Sequence, residues 1–103
     1  MKIEVSKKGM LERWRAGAVV SRFQARRALK LSQDEEGVRL FDKVQPAIDA
    51  IEDAQMRELV QDAWEEASEF RRTSPVIKNL GGILGLEDTE LDDLFELAKT
   101  IEA

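Results

Sequence analysis

The chain has 103 residues, 43% of them hydrophobic and 36% charged, with a formal net charge of −5. That length supports one hydrophobic core, and that composition excludes low-complexity, collagen-like and wholly disordered chains. Cys and His are both absent, which removes disulfides, thiolate nucleophiles, imidazole bases and the usual zinc ligand sets, so no cofactor, no metal site and no catalytic residue is expected.

The charge is unevenly spread. Residues 1–31 hold nine Lys/Arg against Glu4 and Glu12, whereas the remainder holds seven against nineteen carboxylates. Such a division favours head-to-tail contact between copies, docking on an acidic partner, phosphate contact, or a basic segment lying over its own acidic body. No run of about 18 uncharged apolar residues occurs, so no membrane span is expected and the chain reads as cytoplasmic.

Residues 1–20 show no sustained period. Ile3 and Val5 alternate like a very short strand, while Met10, Leu11 and Trp14 have the spacing of one helical face, so the segment reads as a basic arm carrying a helical turn or more. Trp14, between Arg13 and Arg15, suits stacking on a protein or nucleic-acid partner, or it pins the arm to the core.

Ser21 is a good N-cap, and the strong helix formers of residues 22–31 follow it. Arg26, Arg27 and Lys30 cover that helix, with Phe23, Ala28 and Leu31 available to the core. Ser32 to Glu36 reads as the acidic cap of a second helix, with Gly37 near its beginning. That helix aligns Phe41, Val44, Ile48 and Ile51 in one stripe, and Pro46 inside it predicts a bend or restart. A third and longest helix is expected over Asp53–Arg72, with Met56, Leu59, Val60, Ala63, Trp64, Ala67 and Phe70 inward. Thr73-Ser74-Pro75 is a stop-and-restart signal for a fourth helix ending near Gly85. Glu87 to Glu90 then caps a last helix carrying Leu91, Leu94, Phe95, Ala98 and Ile101.

The fold predicted is all-α, a compact array of four to five helices over residues 21–103 preceded by a basic N-terminal arm over residues 1–20. Its expected core is Phe23, Phe41, Val44, Ile48, Leu59, Ala63, Trp64, Phe70, Leu80, Leu84, Leu94, Phe95 and Ile101.

Two motifs fail on chemistry. Leu80 to Ala98 imitates a helix-turn-helix, but its second helix opens Glu87-Asp88-Thr89-Glu90-Leu91-Asp92-Asp93 and would drive carboxylates against phosphates. Glu58, Asp62, Glu65, Glu66 and Glu69 recur at helical spacing, yet neither the Glu-x-x-His pattern nor a calcium loop is present, so they read as a solvated acidic face.

Val20-Ser21-Arg22-Phe23-Gln24-Ala25-Arg26, Trp64-Glu65, Glu69-Phe70-Arg71-Arg72-Thr73-Ser74-Pro75, Leu84-Gly85-Leu86 and Leu91-Asp92-Asp93-Leu94-Phe95 together give the chain a resemblance. It resembles a family of small proteins encoded by tailed bacteriophages and prophages among or beside tail and tail-fibre genes. The resemblance covers roughly residues 20–103 and transfers no catalytic or binding residue. It implies a virion component or assembly factor that binds phage tail or tail-fibre proteins, acting in the host cytoplasm or in the virion. The charge asymmetry puts the expected partner contacts on Arg13, Trp14, Arg15, Arg22, Arg26, Arg27 and Lys30. The alternative is a small nucleic-acid-binding regulator using the same basic arm.

Overall fold

A computed structural model describes residues 2–102, with side-chain surroundings from Gly9 onward; Met1 and Ala103, the outer ends of the two expected segments, lie outside the described residues. Six helices and two short strands follow one another: α1 (Lys2–Gly17), β1 (Val19–Ser21), α2 (Arg22–Leu31), α3 (Leu40–Asp49), α4 (Ala54–Glu66), β2 (Glu69–Arg71), α5 (Pro75–Ile83) and α6 (Asp88–Lys99). The fold is broadly all-α, with more helices than the four or five expected and a two-stranded sheet that was not expected.

The sheet is antiparallel, with Val19 opposite Arg71, Val20 opposite Phe70 and Ser21 opposite Glu69. Val20 and Phe70 point into the core while their neighbours on β2 stay exposed. Three-residue strands are too short for alternation to announce them. For that reason Phe70 was assigned to the third helix, which in fact stops at Glu66, with Ala67 in extended backbone.

The first segment is corrected too. Backbone over Ile3 and Val5 is helical rather than strand-like, and the one helical turn or more expected in the first segment extends to a 16-residue helix, α1. Apolar periodicity reports which face is buried, and among the described side chains α1 gives only Trp14, in its last turn, to the core, so no stripe announces it. Between Gly9 and Arg13 no side chain joins the core, whereas Trp14 packs against it and Ala18 lies within it.

α2 starts as expected, with a reciprocal capping box in which Ser21 Oγ accepts from the Gln24 N–H and Gln24 Oε1 accepts from the Ser21 N–H. Its buried side is Ala28 and Leu29, and these pack on α6, the helix with which α2 shares most contact. Phe23 and Leu31 therefore point outward, 46% and 58% exposed.

The second expected helix begins late, at Leu40, because Asp34 competes for the backbone. Its carboxylate accepts from the N–H groups of Glu36 and Val38, its own N–H donates to the Val38 carbonyl, and Gly37 takes φ +85°. Those hydrogen bonds, that from Val38 first and then that from Lys43, hold the Asp34 carboxyl below its ordinary value. α3 then runs on through Pro46 to Asp49 without a restart.

Ile48, Val60, Val44, Trp64, Phe70, Leu80, Leu84 and Phe95 make up much of the core, as the sequence stripes predicted. Leu59 does not belong to it. Met56, Val60 and Trp64 define the inward face of α4 at intervals of four, which leaves Leu59 outside and 51% exposed. Phe41, Ala63, Leu94 and Ile101 are half-buried at the margin.

α5 is capped by Ser74, whose hydroxyl accepts from the Ile77 N–H, with Pro75 at its first position. It ends in a Schellman motif: the Leu86 N–H donates to the Gly81 carbonyl at 2.8 Å, the Gly85 N–H to the Gly82 carbonyl at 3.1 Å, and Gly85 has φ +78°.

Candidate functional site

The seven residues singled out by charge do not form one patch; they divide into cations spent on the chain's own fold and a few that face solvent. At the junction of α1 with the body, Arg15 grips Asp92 of α6, Nε donating to Oδ1 at 3.0 Å and Nη2 to Oδ2 at 2.7 Å. Trp14 packs beside it on the core, with the Lys99 ammonium 5.3 Å from its ring centre.

Asp92 has a second arginine. Arg72, which directly follows β2 and is 1% exposed, donates from Nε to Asp92 Oδ1 at 2.8 Å and from Nη2 to the carbonyl and carboxylate of Asp88, both at 3.2 Å. Burial pushes the Asp92 carboxyl up, but the hydrogen bonds from Arg15 and Arg72 outweigh it and leave the pKa below its ordinary value. The same contact raises Arg15. One carboxylate thus joins the first helix, the sheet and the last helix. Sequence reasoning missed this node, because Arg72 reads as the end of the third helix beside its solvated acidic face. The available signal was alternation: a strand that points Phe70 inward points residue 72 the same way.

On α2 the basic residues serve α4 and the aromatic core. Arg22 Nη1 donates to the Glu65 carbonyl, and Arg26 Nη2 to the Trp64 carbonyl at 2.8 Å. Both carbonyls belong to the last turn of α4, where backbone acceptors lack partners and the helix dipole favours cations. The Arg26 guanidinium also lies 4.3 Å from the Trp64 ring centre, and the Lys30 ammonium 4.7 Å from that of Phe41. Phe41, Trp64 and Phe70 stack in series, with centroids 6.0 and 6.2 Å apart. Arg26 and Lys30 are thus lids on an aromatic column.

Arg13 and Arg27 remain exposed, without an ion pair among the described residues. Arg13 sits on α1 one turn from exposed Met10, and exposed Leu11 lies on another side of the helix. Arg27 sits on α2 between Phe23 and Leu31, four residues from each, so the three form one outward stripe.

The interior holds an apolar cavity of about 60 Å³ bordered by Val20, Ala28, Trp64, Leu80, Leu91 and Phe95. That is space for about two waters, and its walls offer them no polar partners. A shallow cleft of about 380 Å³ lies between α5 and α6, where Lys78 and Asp88 are the charged members; Asp88 is already engaged by Arg72. No group of acidic side chains among the described residues is arranged to hold a metal ion, and no described helix is long and apolar enough to cross a membrane. No family model, curated protein or solved structure matches this chain.

Proposed function

We propose that the chain is a binding protein of a tailed phage or prophage, a virion component or assembly factor that docks on tail or tail-fibre proteins and carries out no reaction of its own. The phage setting rests on the resemblance carried by residues 20–103. The docking role is carried by one observation: Trp14 and Arg15 anchor α1 to the body, and among the described residues Met10, Leu11 and Arg13 of that helix are exposed. Met10 and Arg13, three residues apart, put an apolar side chain beside a cation on one face of the helix, which suits a groove with an acidic edge.

Arg15 and Trp14 hold α1 in place, and Arg22, Arg26 and Lys30 serve the body. Phosphate binding would draw on the same cations, and three of those arginines already donate inward. This favours a protein partner over nucleic acid.

The test is mass spectrometry of purified particles and tail-assembly intermediates from cells producing the phage. The wild-type chain is expected to co-sediment with tail or tail-fibre proteins, and a Met10→Asp, Leu11→Asp, Arg13→Glu variant to be lost from them. Absence of the wild-type chain from both fractions overturns the reading.

A further inference from the structure

α4 carries a second outward stripe that mirrors the one on α2. Gln55, Leu59, Asp62 and Glu66 lie at intervals of four, three and four, all exposed, with Glu58 beside them. Leu59, 51% exposed, is thus a large apolar side chain set among carboxylates. On α2, Phe23 and Leu31 are large apolar side chains set beside Arg27 and Lys30, on a helix with no acidic residue. Among the described residues none of Arg27, Glu58, Asp62 and Glu66 is in an ion pair. A single exposed Leu is ordinary. Two helical stripes of opposite sign, one with Phe23 and Leu31 flanking Arg27 and the other with Leu59 set among carboxylates, are complementary in charge, and each offers at least one large apolar side chain.

Arg22 and Arg26 of α2 bond the Glu65 and Trp64 carbonyls, so α2 meets the C-terminal end of α4, where Glu66 lies. A two-fold axis can therefore lay α2 of one copy on α4 of the other and make the same contact again in reverse. The repetition matters for area: helices of 10 and 13 residues are about 15 and 20 Å long, and one such crossing falls short of the ~800 Å² per partner of a standard interface.

We propose that a second copy of this chain docks here, forming a two-fold dimer in which Phe23, Arg27 and Leu31 of each copy meet Glu58, Leu59, Asp62 and Glu66 of the other. The dimer does not depend on the phage setting and leaves α1 free.

The experiment is sedimentation equilibrium of the full chain from low to high micromolar concentration, with two charge-reversed variants, Arg27→Glu and Asp62→Lys with Glu66→Lys. All the changed residues lie outside the core, and an unaltered helical circular dichroism spectrum certifies the fold of each variant. The wild type is expected to double its mass from 11.7 kDa as concentration rises. Each variant alone should self-associate at least about tenfold more weakly, because like charges then face each other. Mixed, the two restore opposite signs at both contacts and should form a one-to-one heterodimer. A wild type that stays monomeric at about 500 μM, a folded variant that dimerises as the wild type does, or a mixture that stays monomeric overturns the proposal.

Discussion

Arg72 Nε lies 2.8 Å from Asp92 Oδ1, and this bond closes the sheet onto the last helix with the arginine almost fully out of water. Asp92 keeps Arg15 when Arg72 is removed, but it loses its interior partner, and the freed backbone and carboxylate oxygens of Asp88 lose a donor. Breaking a buried ion pair from one side costs about 3–5 kcal/mol, because a charge is left behind without compensation. Arg72→Ala should lower the stability measured by denaturant titration by that amount. Arg72→Lys should recover only part of it, since a single ammonium cannot reach Asp92 and Asp88 in the forked geometry of the guanidinium. A Lys variant as stable as the wild type would show that charge alone matters at this position.

The same node predicts a pH dependence. Asp92 titrates lower in the folded chain than in the unfolded one, where an Asp has a pKa of about 3.9. Its ionised form therefore stabilises the fold above that value, and the contribution is lost as pH falls through the lower folded value. Asp92→Asn should be less stable than the wild type at neutral pH, and the gap should narrow below about pH 4. Denaturant midpoints of both proteins across an acid series check this; a gap of constant size throughout the series would remove Asp92 from the acid response.

Trp14 and Arg15 fasten the last turn of α1 to the body, so their loss should free that part of the helix without unfolding the rest. Trp14→Ala with Arg15→Ala is expected to raise amide hydrogen exchange from residue 9 to residue 17 while exchange in α4 stays slow. Uniformly faster exchange throughout the chain would mean that α1 belongs to the cooperative core after all.

Much of this organisation was legible from residues, and the failures share a cause. Ser21 with Gln24, Ser74 with Pro75, and Gly85 are local signals, each tied to a backbone need within four residues, and each marks the boundary it was read to mark. The inward faces of α3, α5 and α6 followed from period because those helices are buried along their length. The sheet was invisible because Val19–Ser21 and Glu69–Arg71 are each three residues and find each other across 50 positions. Arg15, Arg22 and Arg26 looked like surface because a guanidinium satisfied by a distant carbonyl or carboxylate has the same sequence as one in solvent. Asp34 hid the start of α3 because an acidic residue before a helix is read as a cap, whereas here it folds the chain back on itself.

Trp64 and Phe23 should separate true core from apparent core. Trp64 lies between Phe41 and Phe70 under the Arg26 guanidinium and is 8% exposed. Replacing it by Ala should cost about 3–5 kcal/mol, a large part of the roughly 5–15 kcal/mol that holds a domain together. Phe23→Ala and Leu59→Ala, at concentrations where the chain is monomeric, should each change stability by no more than about 0.5 kcal/mol. Thermal melts of the three variants make the comparison, and a Phe23 variant as damaged as the Trp64 variant would contradict the outward orientation of that ring.

Gly82 and Gly85 should respond to alanine with opposite signs although neither has a neighbour within 4 Å of the position a Cβ would take. Packing is thus equal at the two sites, and the backbone alone decides. Gly82 is helical, so alanine reduces the freedom of the unfolded chain and should stabilise by up to about 0.5–1 kcal/mol, with less at this late position in the helix. Gly85 holds φ +78° so that its own N–H and that of Leu86 can reach back to the Gly82 and Gly81 carbonyls. An alanine there meets its own carbonyl in the left-handed region and should destabilise by about 1 kcal/mol. Gly85→Asn should cost less, because its short polar side chain tolerates that conformation better. Measured by thermal denaturation, the order expected is Gly82→Ala above wild type, then Gly85→Asn, then Gly85→Ala. Equal losses at both positions would mean that the turn between α5 and α6 does not depend on the left-handed residue.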